Sequence, residues 1–321
     1  MNVASAEADV RLRRAFAAAA LAGIALTLVV ISASAFIRHS QAGLSCHDWP
    51  ACYARVNGGA TYSPPLRGVE LARVAHRLAV TGIIVAVLSL LLLVWTRGAD
   101  WRRERRFAIA ALLIVGALGV LGVATPGARL PAIVLSNLLG GFLLLAVLTA
   151  TFSTVASPAS AIDERTRLLA SAALVLVFVQ VASGGMIGAQ FAALACPSLA
   201  DCGVWSWQDF LDGGSWNPLR LPVEANRHVI TPAGAAGLHI LHRASSTGVV
   251  VLCLVVAAML RKVRPQLAVA IAGLAAVEAC AGIAAVMSGP GLAIVVAHNA
   301  GAAWVVVTLA AAAVPGRCTA S

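Results

Sequence analysis

Charge is scarce in this chain. Only 11% of its 321 residues are Asp, Glu, Lys or Arg, and the acidic residues number 13. A soluble protein of this length covers its surface with roughly a quarter charged residues, so a water-solvated globular fold is excluded. Hydrophobic residues make up 60%, and the apolar excess must face lipid. The first apolar run does not read as a cleaved signal, because it is too long and lacks a convincing small-residue cleavage site. The net charge of +10 comes without the basic, aromatic-interleaved surface that a nucleic-acid site needs. No charged residue is expected in mid-membrane as a coupling site, and the helices are not obviously broken there. Both absences argue against a transporter.

What the chain has is apolar length. Eight runs approach or exceed the 20 or so residues that cross ~30 Å of hydrocarbon: about 15–36, 71–95, 107–124, 131–153, 168–188, 236–260, 266–287 and 291–314. The expected fold is an all-α polytopic membrane protein of eight transmembrane helices, built as two pseudo-symmetric four-helix bundles, 15–153 and 168–314. RLRR (11–14), RGADWRRERR (97–106), ERTR (164–167), RKVR (261–264) and Arg317 hold 14 of the 23 Lys and Arg. All lie in the termini or in alternate connections. The positive-inside rule then puts both termini in the cytoplasm. The two long connections, about 37–70 and 189–235, fall on the outer side.

Those connections match in chemistry. The first contains GLSCHDWPAC with Cys46 and Cys52, the second ALACPSLADC with Cys196 and Cys202. Each Cys-x5-Cys pair can close a local disulfide in an oxidising compartment, either as a structural staple or for thiol exchange during ligand delivery. Cys253, Cys280 and Cys318 read as small apolar residues. His39, His47 and His228 lie in or beside the outer loops and read as surface histidines. Trp49, Trp205, Trp207 and Trp216 suit an interfacial belt or lids.

A seven-residue pattern recurs: HRLAVTG at 76–82 and HRASSTG at 242–248. Counted from the outer ends of their helices, His76, His242 and His298 fall at one expected depth of about 8–11 Å. Imidazoles at one depth on different helices form a plausible set of axial ligands for a haem. His242 and His298 make a complete pair between helices 6 and 8. Arg77 and Arg243 follow the histidines directly, and Arg243 sits where a guanidinium could meet a haem propionate. Thr247 can bond back along its helix, while Gly248 lets a flat macrocycle approach. Two unrelated buried histidines are the plainer alternative. In the first half the position matching His298 is Asn137, a poor iron ligand.

Taken together, GLSCHDWPAC, the paired HR helices, AHNAGAAW on helix 8 and the two four-helix halves resemble the haem A synthases over nearly the whole chain. The resemblance implies oxidation of the haem O methyl group to the formyl of haem A, through hydroxylated intermediates with water-derived oxygen, in cytochrome oxidase assembly. It implies haem b in the C-terminal half, held by His242 and His298. Haem O would lie in the N-terminal half, with His76 as a ligand and Cys46 with Cys52 as the matching cysteine pair. It further implies a bacterial inner membrane, lipid as surroundings, and haem O synthase and oxidase assembly proteins as partners. Homo-oligomerisation stays open.

Two positions depart from the family. Its ExxH pattern places Glu three residues before the first-half His; here that position is Arg73. Glu70 is the nearby carboxylate, but six residues turn a helix to about 120° off the His76 face. Glu70 and Arg73 therefore stand as the candidates at the catalytic position. The second departure is Asn137. A carboxylate beside the substrate could stabilise developing positive charge or position water, and a guanidinium does neither well. His239 occupies the second-half position of Arg73. The alternative function is a diverged, non-catalytic b-type cytochrome of the same family, acting in electron transfer or haem handling.

Overall fold

The computed structural model describes residues 3–41, 66–124, 130–156, 162–202, 206–211, 214–222 and 234–315. Cys46, His47, Trp49, Cys52, Trp205, His228, Arg317 and Cys318 lie outside them. The described residues are helical, with short turns and no strand. Eight helices are long and apolar enough to cross a membrane: α1 (Val3–Gln41), α2 (Leu66–Trp95), α3 (Arg102–Ala124), α4 (Pro131–Ala156), α5 (Glu164–Ala189), α6 (Ala235–Leu260), α7 (Pro265–Met287) and α8 (Leu292–Ala313). In hydrocarbon a backbone must satisfy its own hydrogen bonds, and the helix does so within one segment. The chain is a multi-pass membrane protein.

Several helices, α1, α2, α3 and α5, start earlier than the apolar pattern suggests. α1 begins before the RLRR segment because i,i+4 pairs carry it as helix: Arg11–Glu7 at 3.3 Å and Arg13–Asp9 at 2.7 Å. Arg13 also sits 4.9 Å over the Trp101 ring, and Phe16 meets the same ring edge-on at 5.7 Å. α2 begins at Leu66 rather than 71. His76 therefore lies nearly three turns into its helix, while His242 and His298 lie about two turns into theirs. The equal depth expected of the three does not hold when counted from the helix starts.

Neighbours follow chain order. α1 packs on α2, α2 on α3, α3 on α4, and α4 back on α1; α5 packs on α6, α6 on α7, α7 on α8, and α8 back on α5. Further contacts join α1 to α8, α4 to α8 and α4 to α5. One apolar core threads all eight helices, from Phe16 through Leu90, Phe142, Leu145 and Ile271 to Leu309, each fully buried. Large apolar side chains also face outward. Val123 is 84% exposed and Leu92 77%; such side chains belong in lipid, not water.

α5 has a defined start and stop. Asp163 is its N-cap, accepting from the Thr166 backbone N–H at 2.8 Å and the Thr166 hydroxyl at 2.7 Å. These bonds hold the Asp163 carboxyl below its ordinary value. At the other end, Phe191 takes a left-handed φ of 54° and turns the chain out of the helix. The connection that follows is pinned down. The Gln190 amide donates to the Ser215 and Asn217 carbonyls at 3.2 and 3.1 Å, and Ala132 N–H of α4 donates to Pro218 O at 2.8 Å. A one-turn helix, Trp207–Leu211, adds an aromatic cluster: Trp207 on Phe210 at 5.9 Å and Phe210 on Trp216 at 4.8 Å, both edge-on. Gly237 of α6 leaves the space that the Phe210 ring fills.

Candidate functional site

The best-defined polar cluster centres on His242. Its Nδ1 lies 2.8 Å from Ser183 Oγ, and its Nε2 3.2 Å from the Gln180 amide nitrogen. Gln180 donates to the His242 carbonyl at 2.9 Å and accepts from the Ser245 hydroxyl at 2.5 Å. Ser183 and Gln180 stand three apart on α5, so both meet the same stretch of α6. Gly184, one residue on, makes room for the ring: a Cβ there would sit 2.9 Å from His242 Cε1.

His298 of α8 forms the other side. Its Nδ1 is 2.9 Å from Glu278 Oε2 of α7, at ion-pair distance though without a well-directed hydrogen bond. Gly282 faces His298 at a looser 3.7 Å. The rings of His298 and His239 and the Arg243 guanidinium all lie close enough to His242 to interact with it electrostatically. His239 is buried, with its Nε2 unpartnered. His242 on α6 and His298 on α8 lie within electrostatic reach of one another, on helices that each pack against both α5 and α7. Among the described residues no three His, Cys, Asp or Glu side chains gather as they do around a bare metal ion. A porphyrin brings four nitrogen ligands of its own and asks the protein for only two. Two imidazoles from opposite helices, each beside a glycine, suit that need.

Glu278 corrects the expectation that mid-membrane charge is missing. It lies midway along α7, and its side chain is 14% exposed. The signal was legible as the lone acidic residue in an apolar run, but a single carboxylate does not stand out in a composition average. Gln180, Ser183 and Ser245 were also missed. Uncharged polar residues at i,i+3 spacing are common in apolar helices and say little until a partner is seen.

The recurring motif is explained differently from the haem-facing stripe expected of it. Thr81 bonds back to Arg77 O at 3.0 Å, and Thr247 bonds back to Arg243 O at 3.4 Å, as the sequence suggests. The glycines, however, face the preceding helix. A Cβ on Gly82 would meet Leu26 of α1 at 2.7 Å, and one on Gly248 would meet Leu176 of α5 at 3.6 Å. Thr-Gly is a close-packing step between neighbouring helices in the first half, where Gly82 meets Leu26, and an ordinary contact in the second.

Arg243 is occupied by the chain itself. Its terminal nitrogens donate to the carbonyls of Ser198 at 3.0 Å, Leu199 at 3.3 Å and Cys196 at 3.4 Å, and reach Cys202 Sγ at 3.6 Å. Only its Nε lacks a partner. The guanidinium therefore clamps the short loop closed by the Cys196–Cys202 disulfide.

In the first half, His76 is half-buried on α2. Glu70, Arg73, Arg77 and Asn137 are exposed. His39 is the remaining correction. Expected at the surface, it is 7% exposed at the end of α1, 3.1 Å from Arg38 and against Gly188 of α5. The helix runs on past the apolar stretch and carries His39 into the packing.

The family model described as COX15-CtaA, cytochrome oxidase assembly protein, matches residues 70–310. A Shewanella oneidensis protein named haem A synthase is 29% identical over 306 residues, 89% of this chain and 92% of its own. A haem A synthase of Symbiobacterium thermophilum is 36% identical over 100 residues, 30% of each chain.

Proposed function

The chain belongs to the COX15-CtaA family of cytochrome oxidase assembly proteins, and from that we propose that it is a haem A synthase, oxidising the haem O methyl group to the formyl of haem A. The pairing of His242 with His298 carries the reading, together with the full-length similarity to a protein of that name. We assign haem b to the C-terminal four helices, with one imidazole each from α6 and α8. When bound, that haem supplies one-electron transfer.

The protein's own residues do the holding. Ser183 fixes His242 by its Nδ1 and leaves Nε2 for iron. Gln180, 3.2 Å from Nε2, donates to the His242 carbonyl and accepts from Ser245, two bonds that would hold it beside the ring with Nε2 given over to a haem iron. The Arg243 clamp seats the disulfide loop above α6. His76 is assigned to the substrate in the N-terminal four helices. Arg77 at the same end of α2 suits an anionic propionate. The matching order of neighbours within each set of four helices supports reading them as related halves. The arginine pattern supports an inner-membrane protein with both termini in the cytoplasm and both cysteine loops outside. Haem O synthase and oxidase assembly factors are the expected partners.

A second reading rests on Arg73 and Asn137. Both stand where the resemblance leads one to expect a carboxylate and a histidine, and both are exposed. A protonated guanidinium cannot serve as a base, so a non-catalytic b-type cytochrome is the competing function. Co-expression with a haem O synthase in a host without haem A, followed by haem extraction and chromatography, separates the two. Haem A or a hydroxylated haem O is the expected product. Haem B with unmodified haem O, from folded protein, supports the cytochrome.

A further inference from the structure

The two imidazoles of the pair are not held alike. His242 meets a hydroxyl and an amide, both neutral. His298 meets a carboxylate. Glu278 lies in the space that Gly301 leaves: a Cβ at 301 would collide with its Oε1, so a larger residue there must displace the carboxylate from its place between α7 and α8. A carboxylate in a lipid-embedded helix is costly and is retained where it acts. Here its Oε2 lies 2.9 Å from His298 Nδ1, with a side-chain exposure of 14%.

We infer that Glu278 is a positioning residue for His298, orienting the ring with Nδ1 toward α7 and Nε2 toward the iron, and setting a lower reduction potential for the haem than a neutral partner would. The inference rests on the assignment of haem b to His242 and His298. An imidazole whose Nδ1–H donates to a carboxylate is held in one tautomer and becomes a stronger electron donor through Nε2. A negative charge on the carboxylate, in surroundings of low dielectric, would also favour the oxidised iron. The present approach is oblique rather than along the N–H direction, so the ring has to turn for that hydrogen bond to form. Ser183 does the same orienting job for His242 without a charge. Glu278 therefore makes the pair electrostatically one-sided.

The test is a potentiometric titration of the purified protein with its bound haem, followed by absorption and by electron paramagnetic resonance. Glu278→Gln keeps the shape and removes the charge. The expected result is an upward shift in midpoint potential with the low-spin, two-imidazole spectrum retained. Gly301→Ala leaves the carboxylate and the histidine in the sequence but pushes them apart. It should shift the potential in the same direction, and the double variant should shift no further. An unchanged potential in a haem-loaded Glu278→Gln protein overturns the inference. If that variant holds no haem, Gly301→Ala decides by the same criterion. His298→Ala tests the underlying assignment separately: if it keeps an unaltered two-imidazole spectrum, the ligand assignment fails, whatever Glu278 does.

Discussion

Ser183 of α5 and His242 of α6 meet at 2.8 Å, hydroxyl oxygen to ring Nδ1. That contact engages Nδ1, while Nε2 meets the Gln180 amide at a longer 3.2 Å. Replacing Ser183 by Ala should leave the helices intact and weaken haem retention by about 10- to 100-fold, the usual cost of losing a partner behind a metal-bound histidine. Haem-to-protein ratio after gel filtration measures it. Full occupancy at limiting haem would count against the assignment of His242 as a ligand.

The two glycines beside the imidazoles should not behave alike. A methyl at Gly184 comes within 2.9 Å of the His242 ring, whereas one at Gly282 stays 3.7 Å from His298. Gly184→Ala is expected to displace the ring, at a cost of about 1–3 kcal/mol in packing, and to lose most of the haem. Gly282→Ala should keep it. Parallel absorption spectra of the two proteins read the difference directly.

Arg243 and the disulfide loop make a separable prediction. Three carbonyls and a sulfur are met by one planar guanidinium, a pattern an ammonium cannot reproduce. Arg243→Lys should therefore speed proteolysis within 196–202 and reduction of Cys196–Cys202 nearly as much as Arg243→Ala. Protection by lysine equal to that of arginine would show that charge alone seats the loop.

Acid should loosen the start of α5. The Thr166 bonds depress the Asp163 carboxyl, so its capping contribution is complete above the ordinary carboxylate value. It is lost as pH falls through the lower, folded value. Asp163→Asn, which keeps a capping oxygen, should lower the melting temperature less than Asp163→Ala, and both should blunt the acid response. Thermal melts in detergent between pH 3 and 6, a range set around the ordinary carboxylate value of about 4, would show it.

Much of this architecture was legible from residue order. Eight apolar runs had to become helices, because lipid leaves a backbone no other partner, and the spacing of His242 and His298 across helices 6 and 8 pointed to one site. The partners of the histidines were not legible. Ser183, Gln180 and Glu278 acquire meaning only from which face of a helix turns inward, and in an all-apolar helix there is no polar stripe to reveal that face. Gly248 was misread for the same reason, since a glycine that admits a macrocycle and one that faces a leucine are identical in sequence. His39 was misplaced because helix α1 outlasts its hydrophobic stretch.

The apolar core shared by all eight helices has a consequence for how damage spreads. Phe16 and Leu309 belong to one packed body that reaches every membrane-spanning helix, and a smaller cluster around Met186, Ile187 and Leu238 lies apart from it where α5 and α6 meet the connection between them. Unfolding should then be a single cooperative event, and ligand bound near α6 and α8 should stabilise α2 by mass action. A lesion that merely empties the haem b position would lower the steady-state amount of the whole protein, and so mimic a defect in substrate oxidation that it never touches.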